Sequence, residues 1–507
     1  MNEKLNVLFI ITDAMRADHM SCAGNPTVKT PNLDKLAAEG VRFTNHFCNN
    51  PICMPNRATL ITGVYPNVHG VRSNGINLRK DIPTIIQTLS KRGWYTAAIG
   101  KVHHQYWLAP FRHKSRSAES LTDWVLNRDN SYPVRANFPL PYYGYEKVEV
   151  ISGNGSVCAG HYTEWLEEKA PQIAKDMKIR VQNYDNLFNL FCDPIPEELY
   201  NTTWVTERTI AFLERYSKGD YGNKPFYLQC SFPDPHYPLY PPKRYQNMYK
   251  QEDIELPANF NNIKNLYDHD FMGYHLRNPP FRKQFLREST EEEILEITRL
   301  TYAAISYVDH SIGLILASME KLGFSGNTIV VFMSDHGDLM GEHSLLYKGP
   351  CPFNGVLQLP LIWKVPGLTK SSVSESLLSS IDYPKTILNL LDVPERHQPP
   401  DMQGYDITPI LENPEKEVRD CILIENDEEI GPFEARLRHL ITKDYKLTVY
   451  SSLRNFGDIY DRKNDPHELK NMWHDKNFKD KRFDLVNRLL HENLKAQSLY
   501  PKRIAGT

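Results

Sequence analysis

This chain of 507 residues lacks most of the features that would assign it to a specialised class. Its longest apolar stretches fall short of the roughly 20 residues that span a bilayer, so a membrane protein is not expected. The formal net charge is only −3, which leaves no basic footprint for nucleic acid. The eight cysteines, at 22, 48, 53, 158, 192, 230, 351 and 421, show no paired spacing. That argues against both a disulfide framework and a zinc finger. Met1-Asn2-Glu3-Lys4 leads directly into an apolar strand, with no signal segment or cleavage site and no internal repeat further on. A soluble, cytoplasmic protein with reduced thiols is the expectation.

Proline and tyrosine are plentiful, at 35 and 28 residues, which fits long ordered loops over a scaffold and not disorder. The length suggests one large domain and a smaller one. Over the first 100 residues strand and helix alternate. Asn6–Thr12 reads as a strand buried on both faces and ends at Asp13. Thr30-Pro31 opens a helix that Gly40 closes, and Val41–Phe47 reads as the next strand. Tyr95–Ile99, Phe226–Phe232, Thr328–Met333 and Pro360–Val365 are further apolar runs. A long helix starts near Ser289-Thr290, with Glu292 and Glu293 in capping-box position. Repeated β-α units predict an α/β fold with a large, mostly parallel sheet flanked by helices. Residues 1–400 are read as this domain, with polar insertions near 105–200 and 240–288 that shape access to the site. Residues 401–507 are read as a small α+β domain, with strands at Cys421–Glu425 and Leu437–Tyr450 and a helix at Phe483–Gln497.

In such sheets chemistry gathers beyond the carboxyl ends of the strands, and Asp13, His236 and Asp335 all follow apolar runs. Cys53-Met54-Pro55-Asn56-Arg57 places a thiol at a helix start, proline in the first turn and an arginine one turn on. A helix N-terminus favours a nucleophile that handles an anion. Ser334-Asp335-His336-Gly337 adds a carboxylate and an imidazole. With Asp13 these suit a divalent cation: calcium, magnesium or manganese, with zinc as an alternative. Lys101 and His103 in Gly100-Lys101-Val102-His103, His236 in Pro235-His236-Tyr237-Pro238, and Lys348 are candidate anion binders. Asn74, in Arg72-Ser73-Asn74-Gly75, reads first as a turn residue and is carried as a substrate-binding candidate.

These segments together resemble the sulfatase family of the alkaline-phosphatase superfamily. Asn6–Asp13, Thr30–Gly40, Cys53–Gly63, Gly100–His103 and Ser334–Gly337 match its motifs. So do Ile459-Tyr460-Asp461 and the turn Asp465-Pro466-x-Glu468-x-x-Asn471. The resemblance implies that Cys53 is oxidised to formylglycine by a formylglycine-generating or equivalent maturation enzyme. Its hydrated form, a geminal diol, would be the nucleophile. Asp13, Asp335, His336 and the residue made from Cys53 would hold one metal ion, calcium by first expectation. Arg57 and Lys101 would stabilise the nucleophile and the transferred group. Lys348 and His236 would neutralise the ester oxygens, with His236 a candidate acid for the leaving alcohol. His103 would take the proton when the second hydroxyl expels sulfate.

Two positions depart from the common pattern. Ala14 stands where many sulfatases have a second acidic residue, and His336 where an asparagine is frequent. This resembles the phosphonate monoester hydrolase and phosphodiesterase branch, and it favours manganese or zinc more than a site with an extra carboxylate would. The implied activity is hydrolysis of a small-molecule sulfate monoester. Phosphonate monoester or phosphodiester hydrolysis is the alternative, and a non-catalytic ligand-binding member is the reading from another class. A homo-oligomer is compatible with the resemblance.

Overall fold

A computed structural model describes residues 4–108, 116–125, 137–155, 157–182, 190–192, 194–277, 287–430 and 433–498. Parts of both expected insertions therefore lie outside the described residues.

The strands of the principal sheet are β1 (Asn6–Thr12), β2 (Val41–Phe43), β3 (Tyr95–Lys101), β4 (Lys147–Asn154) and β5 (Val157–Gly160), followed by β6 (Phe226–Ser231), β7 (Thr328–Ser334), β8 (Leu361–Lys364) and β9 (Ser372–Ser374). Their spatial order is β9-β2-β8-β7-β1-β6-β3-β4-β5. The central four, β7-β1-β6-β3, are mutually parallel, so their carboxyl ends share one edge. Every residue of β1, β6 and β7 is buried, as apolar strands covered on both faces must be.

The helices that matter for the site are α1 (Pro31–Ala38), α2 (Cys53–Thr62), α3 (Ile85–Lys91), α4 (Asn201–Ser217), α5 (Glu291–Lys321), α6 (Asp382–Leu390) and α7 (Lys479–Lys495). Thr290 caps α5 by accepting from the Glu293 amide. One stretch of α5 is long and apolar enough to cross a membrane by composition, contrary to the sequence expectation, but 72% of it is buried inside the protein. It is a core helix, with Ile305, Ile312 and Ile315 among the side chains packed against the sheet.

Three differences from the expected layout have physical causes. The run Val41–Phe47 is two strands: β2 joins the main sheet, while His46–Phe47 pairs with Leu378–Ser379 in a separate ladder. β8 is antiparallel to both its neighbours, because the chain leaves β7, crosses the site edge without a helical crossover, and returns. The segment near 105–200 is more than an insertion over the site. Its β4 and β5 extend the main sheet, with β4 parallel to β3 and β5 antiparallel to β4. The segment near 240–277 forms short helices, and His269 there bonds Asp458 at 2.7 Å.

The C-terminal unit is an antiparallel meander of β10 (Cys421–Ile430), β11 (Phe433–Thr442), β12 (Tyr445–Tyr450) and β13 (Gly457–Asp461). One face, through Leu423, Leu440 and Leu447, packs on Leu485 and Leu489 of α7. The other, through Ile422, Ile424 and Leu437, packs on Phe47, Val356 and Leu357 of the large unit. The meander thus presses against the loops beside α2.

Candidate active site

All ten residues of α2 are buried, so polar groups in it must be satisfied within the protein. The Met54 amide donates to Asn74 Oδ1 at 3.1 Å and the Ile52 amide to Asn50 Oδ1 at 3.0 Å. Asn74 is itself exposed and serves as this helix-end cap, which is what its turn position provides. The helix stops at Gly63, whose φ of 73° gives a left-handed end.

Cys53 begins α2, and only 2% of it is exposed. Its sulfur lies 3.1 Å from His336 Nε2, accepts from Lys348 Nζ at 2.9 Å, and sits 4.0 Å from Asp13 Oδ1. Burial and Asp13 push the thiol up, but Lys348, His336 and Lys101 outweigh them and bring it down to about 7. Arg57 does not turn its donors to the sulfur. Its Nε bonds Asp335 Oδ2 at 2.6 Å, and its Nη1 bonds the Lys101 carbonyl at 2.7 Å and Ser231 Oγ at 3.0 Å. Its Nη2 lies 3.7 Å from Asp13 Oδ2.

Lys101 ends β3. Its ammonium contacts Asp13 and donates to Asn154 Oδ1 at 3.0 Å. Gly100 makes this approach feasible: its φ is 98°, and a Cβ there would stand 1.9 Å from the Ser231 carbonyl. Burial opposes ionisation of Asp13, yet Lys101 and the neighbouring cations hold its carboxyl well below the usual range. His336 lies 3.1 Å from Asp13 Oδ1 and 3.5 Å from Asp335 Oδ1. Burial disfavours its charge, but Asp335 and the hydrogen bond to Asp13 raise it to about 10. Its Nδ1 lies 2.7 Å from the Gly337 carbonyl, which fixes the ring with Nε2 toward the carboxylates.

His236 and Lys348 close the cluster. Lys348 Nζ lies 3.2 Å from His236 Nε2 and also contacts His336. His236 Nδ1 lies 2.8 Å from the Tyr237 carbonyl and 3.0 Å from Asn154 Nδ2, while its Nε2 faces the lysine. Burial and Lys348 push His236 well below its usual value, leaving it neutral. Burial and Lys101 do the same to His103. Neither ring nitrogen of His103 has a hydrogen-bond partner among the described residues. Its backbone amide is held by Glu119, which also accepts from the amides of His104 and Gln105.

Every site residue expected from sequence thus lies in or beside one cluster, with Asn74 at its edge as a cap. Four donors, from Asp13, Cys53, His236 and His336, lie within 4.8 Å of one another, a spacing a metal ion can bridge. His236 was not expected among them. Asp335, which was, turns one oxygen to Arg57 and the other to the Ala14 amide at 3.3 Å. Ala14 therefore contributes a backbone donor where a carboxylate was looked for. Carboxylate and imidazole donors set beside one fixed ring fit a divalent ion.

Sequence reasoning missed Asn154, Ser231, Glu119 and Glu428. A Gly-Asn-Gly turn at a strand end signals Asn154, and Ser231 closes an apolar strand, but nothing local signals the two glutamates.

Comparisons with known proteins agree with this geometry. The chain is 28% identical over 506 residues to an arylsulfatase of Clostridium perfringens, covering 97% of this chain and 95% of that one. It is 28% identical over 502 residues to a multifunctional alkaline phosphatase superfamily protein of Trinickia caryophylli, covering 92% and 91%. Its fold matches the phosphonate monoester hydrolase of Agrobacterium radiobacter with a TM-score of 0.79 at 22% identity, over 98% and 97% of the two chains. The family model for the C-terminal region of N-sulphoglucosamine sulphohydrolase matches residues 341–496. The sulfatase family model matches residues 5–393, and this chain belongs to the sulfatase family.

Proposed function

We propose that the protein hydrolyses a sulfate monoester of a small alcohol or phenol, with Cys53, converted to formylglycine, as its nucleophilic position. The observation that carries this is the setting of Cys53. It stands at a buried helix start, 2.9 Å from an ammonium and 3.1 Å from an imidazole that two carboxylates hold.

Asp13, Asp335, His336 and the residue at position 53 would hold a divalent ion, and His236 is close enough to join them. Such an ion supplies Lewis acidity toward the nucleophile and the ester oxygens. Formylglycine supplies, as its hydrate, a hydroxyl nucleophile with a second hydroxyl for release of the product. Calcium is the first expectation, and the imidazole and neutral Ala14 position support testing manganese and zinc.

The remaining side chains divide the charge. Arg57, Lys101 and Lys348 provide three cations against the two carboxylates of Asp13 and Asp335, so the site is biased toward an anion. Lys348 is raised, because Cys53, Asp13 and Asp335 outweigh its burial. It therefore holds a proton beside His236 Nε2, and the leaving oxygen receives it from this pair. His103, whose ring nitrogens have no hydrogen-bond partner among the described residues, is the candidate proton acceptor. The eight cysteines' lack of paired spacing in the sequence supports a reducing, cytoplasmic location.

Phosphonate monoester or phosphodiester hydrolysis is a second reading, favoured by the Asp335-His336 pair with Ala14. Steady-state assays with 4-nitrophenyl sulfate and 4-nitrophenyl phenylphosphonate rank the two readings, and inactivity on both would overturn them. A Cys53 peptide that remains a thiol in protein from its native host would overturn the formylglycine mechanism.

A further inference from the structure

β10 alternates its side chains between two environments. Ile422, Ile424, Asn426 and Glu428 share one face. The first two lie in the core between the C-terminal sheet and the large unit, and the last two continue that line in polar form. The strand runs beside the segments that flank the catalytic helix, with the Glu425 amide bonded to the Asn49 carbonyl at 2.9 Å. Glu428 is 6% exposed and Asn426 is fully buried. Ser73 donates to Glu428 Oε2 at 3.0 Å, and the next residue, Asn74, caps the helix that starts at Cys53. Glu428 is also near enough to Lys348 and Cys53 to interact electrostatically with both.

Three polar atoms on this face are buried with no hydrogen-bond partner among the described residues: Asn426 Oδ1, Asn426 Nδ2 and Glu428 Oε1. Buried polar atoms are almost always paired, so a cluster of three calls for a ligand group. Arg438 does not neutralise them. It pairs with Glu425 and Asp427, on the opposite face of the strand.

We propose that Asn426 and Glu428, anchored by Ser73, form a subsite that hydrogen-bonds a hydroxyl group on the alcohol part of the ester. This rests on the hydrolase reading above and names the residues that select the alcohol. An amide and a carboxyl together offer both donor and acceptor atoms, which is what a hydroxyl requires. Burial pushes the Glu428 carboxyl up to about 8, so at neutral pH it is mostly protonated and suits an uncharged partner better than an ammonium group. A site built to bond a hydroxyl discriminates strongly against analogues that lack it, because its own polar atoms are then left unpaired.

The test compares cyclohexyl sulfate with its analogues hydroxylated at the second, third or fourth ring carbon. Wild type is expected to prefer at least one hydroxylated analogue by about tenfold or more in kcat/KM. Asn426→Leu and Glu428→Leu should abolish that preference through KM. Glu428→Gln should retain the preference, which separates a binding role from a folding defect. No preference in wild type, or an equal loss on all four esters, would overturn the subsite. If wild type hydrolyses none of them, the hydrolase reading is judged by the 4-nitrophenyl sulfate assay, and calorimetric affinities for the same four esters decide the subsite. Loss of a hydroxyl preference in the variants then upholds the subsite, and equal affinities overturn it.

Discussion

Arg57 Nε stands 2.6 Å from Asp335 Oδ2, tying the helix that begins at Cys53 to the loop that ends β7. The same guanidinium reaches the β3 end through the Lys101 carbonyl, so one side chain sets the relative positions of the Cys53 helix, the Asp335 carboxylate and the Lys101 segment. Arg57→Lys keeps the charge and loses the fork. Turnover should fall by about a hundredfold or more, while the fold survives. Arg57→Ala leaves a buried carboxylate unpaired and should cost about 3–5 kcal/mol in urea denaturation. Wild-type stability in the alanine variant would refute this account.

Lys348 is expected to act in two measurable ways. In the mature enzyme, Lys348→Ala should lower kcat by about two to three orders of magnitude. In protein carrying the unmodified thiol, Lys348 is one of the cations that bring Cys53 down to about 7. Removing it should therefore raise the pH at which the thiolate forms, seen as an alkaline shift in ultraviolet thiolate absorbance.

Removing metal should cost both activity and stability. An ion that binds only the folded state raises Tm by mass action, so chelation should lower Tm and restoring the ion should recover it. Asp13→Asn removes a carboxylate from the donor set and should weaken that response by at least tenfold in metal affinity. Calorimetric titration with calcium, manganese and zinc in turn ranks the ions. A Tm that ignores all three would count against a metal centre.

Glu428 gives stability a defined pH dependence. Its carboxyl titrates at about 8 in the folded protein and near 4.5 when unfolded. Between those values the folded state keeps a proton that the unfolded chain has lost. Its contribution is thus full below about pH 4.5 and is lost as the pH rises through about 8. Glu428→Gln removes this titration. The wild-type Tm should therefore fall relative to the variant from about pH 5 to 8 and run parallel to it above about pH 9. Parallel curves across the whole range would contradict a buried, protonated Glu428.

Much of the site was legible because its residues occupy strand ends and one helix start, where short motifs carry the geometry. Asp13, Lys101, Asp335 and Cys53 come together once β7, β1, β6 and β3 lie parallel in that order, and apolar runs announce those strands. Two kinds of information were not local. β4 and β5 read as part of a polar insertion, although Lys147–Asn154 is a buried strand. Their membership in the sheet depends on pairing with β3, which no window of sequence contains. Glu428 lies 375 positions beyond Cys53, and Glu119 acts through backbone amides that carry no sequence signature. The one-turn spacing places Arg57 on the helix near the thiol but does not say which groups its guanidinium bonds. In the fold its donors bond Asp335, Ser231 and the Lys101 carbonyl, with Asp13 beside them.

The complete burial of α2 would limit when Cys53 could be converted to the proposed nucleophile. With the helix seated, the Cys53 sulfur is enclosed by Asp13, His336 and Lys348, and no macromolecule can grip the flanking residues without extracting a ten-residue core helix. An enzyme that oxidises this thiol must therefore meet the chain while Cys53–Thr62 is still extended. On the formylglycine proposal, the fraction of active protein would be set by a race between oxidation and collapse of the core. Slower folding, or more abundant oxidising enzyme, should raise specific activity without altering a single contact in the finished structure.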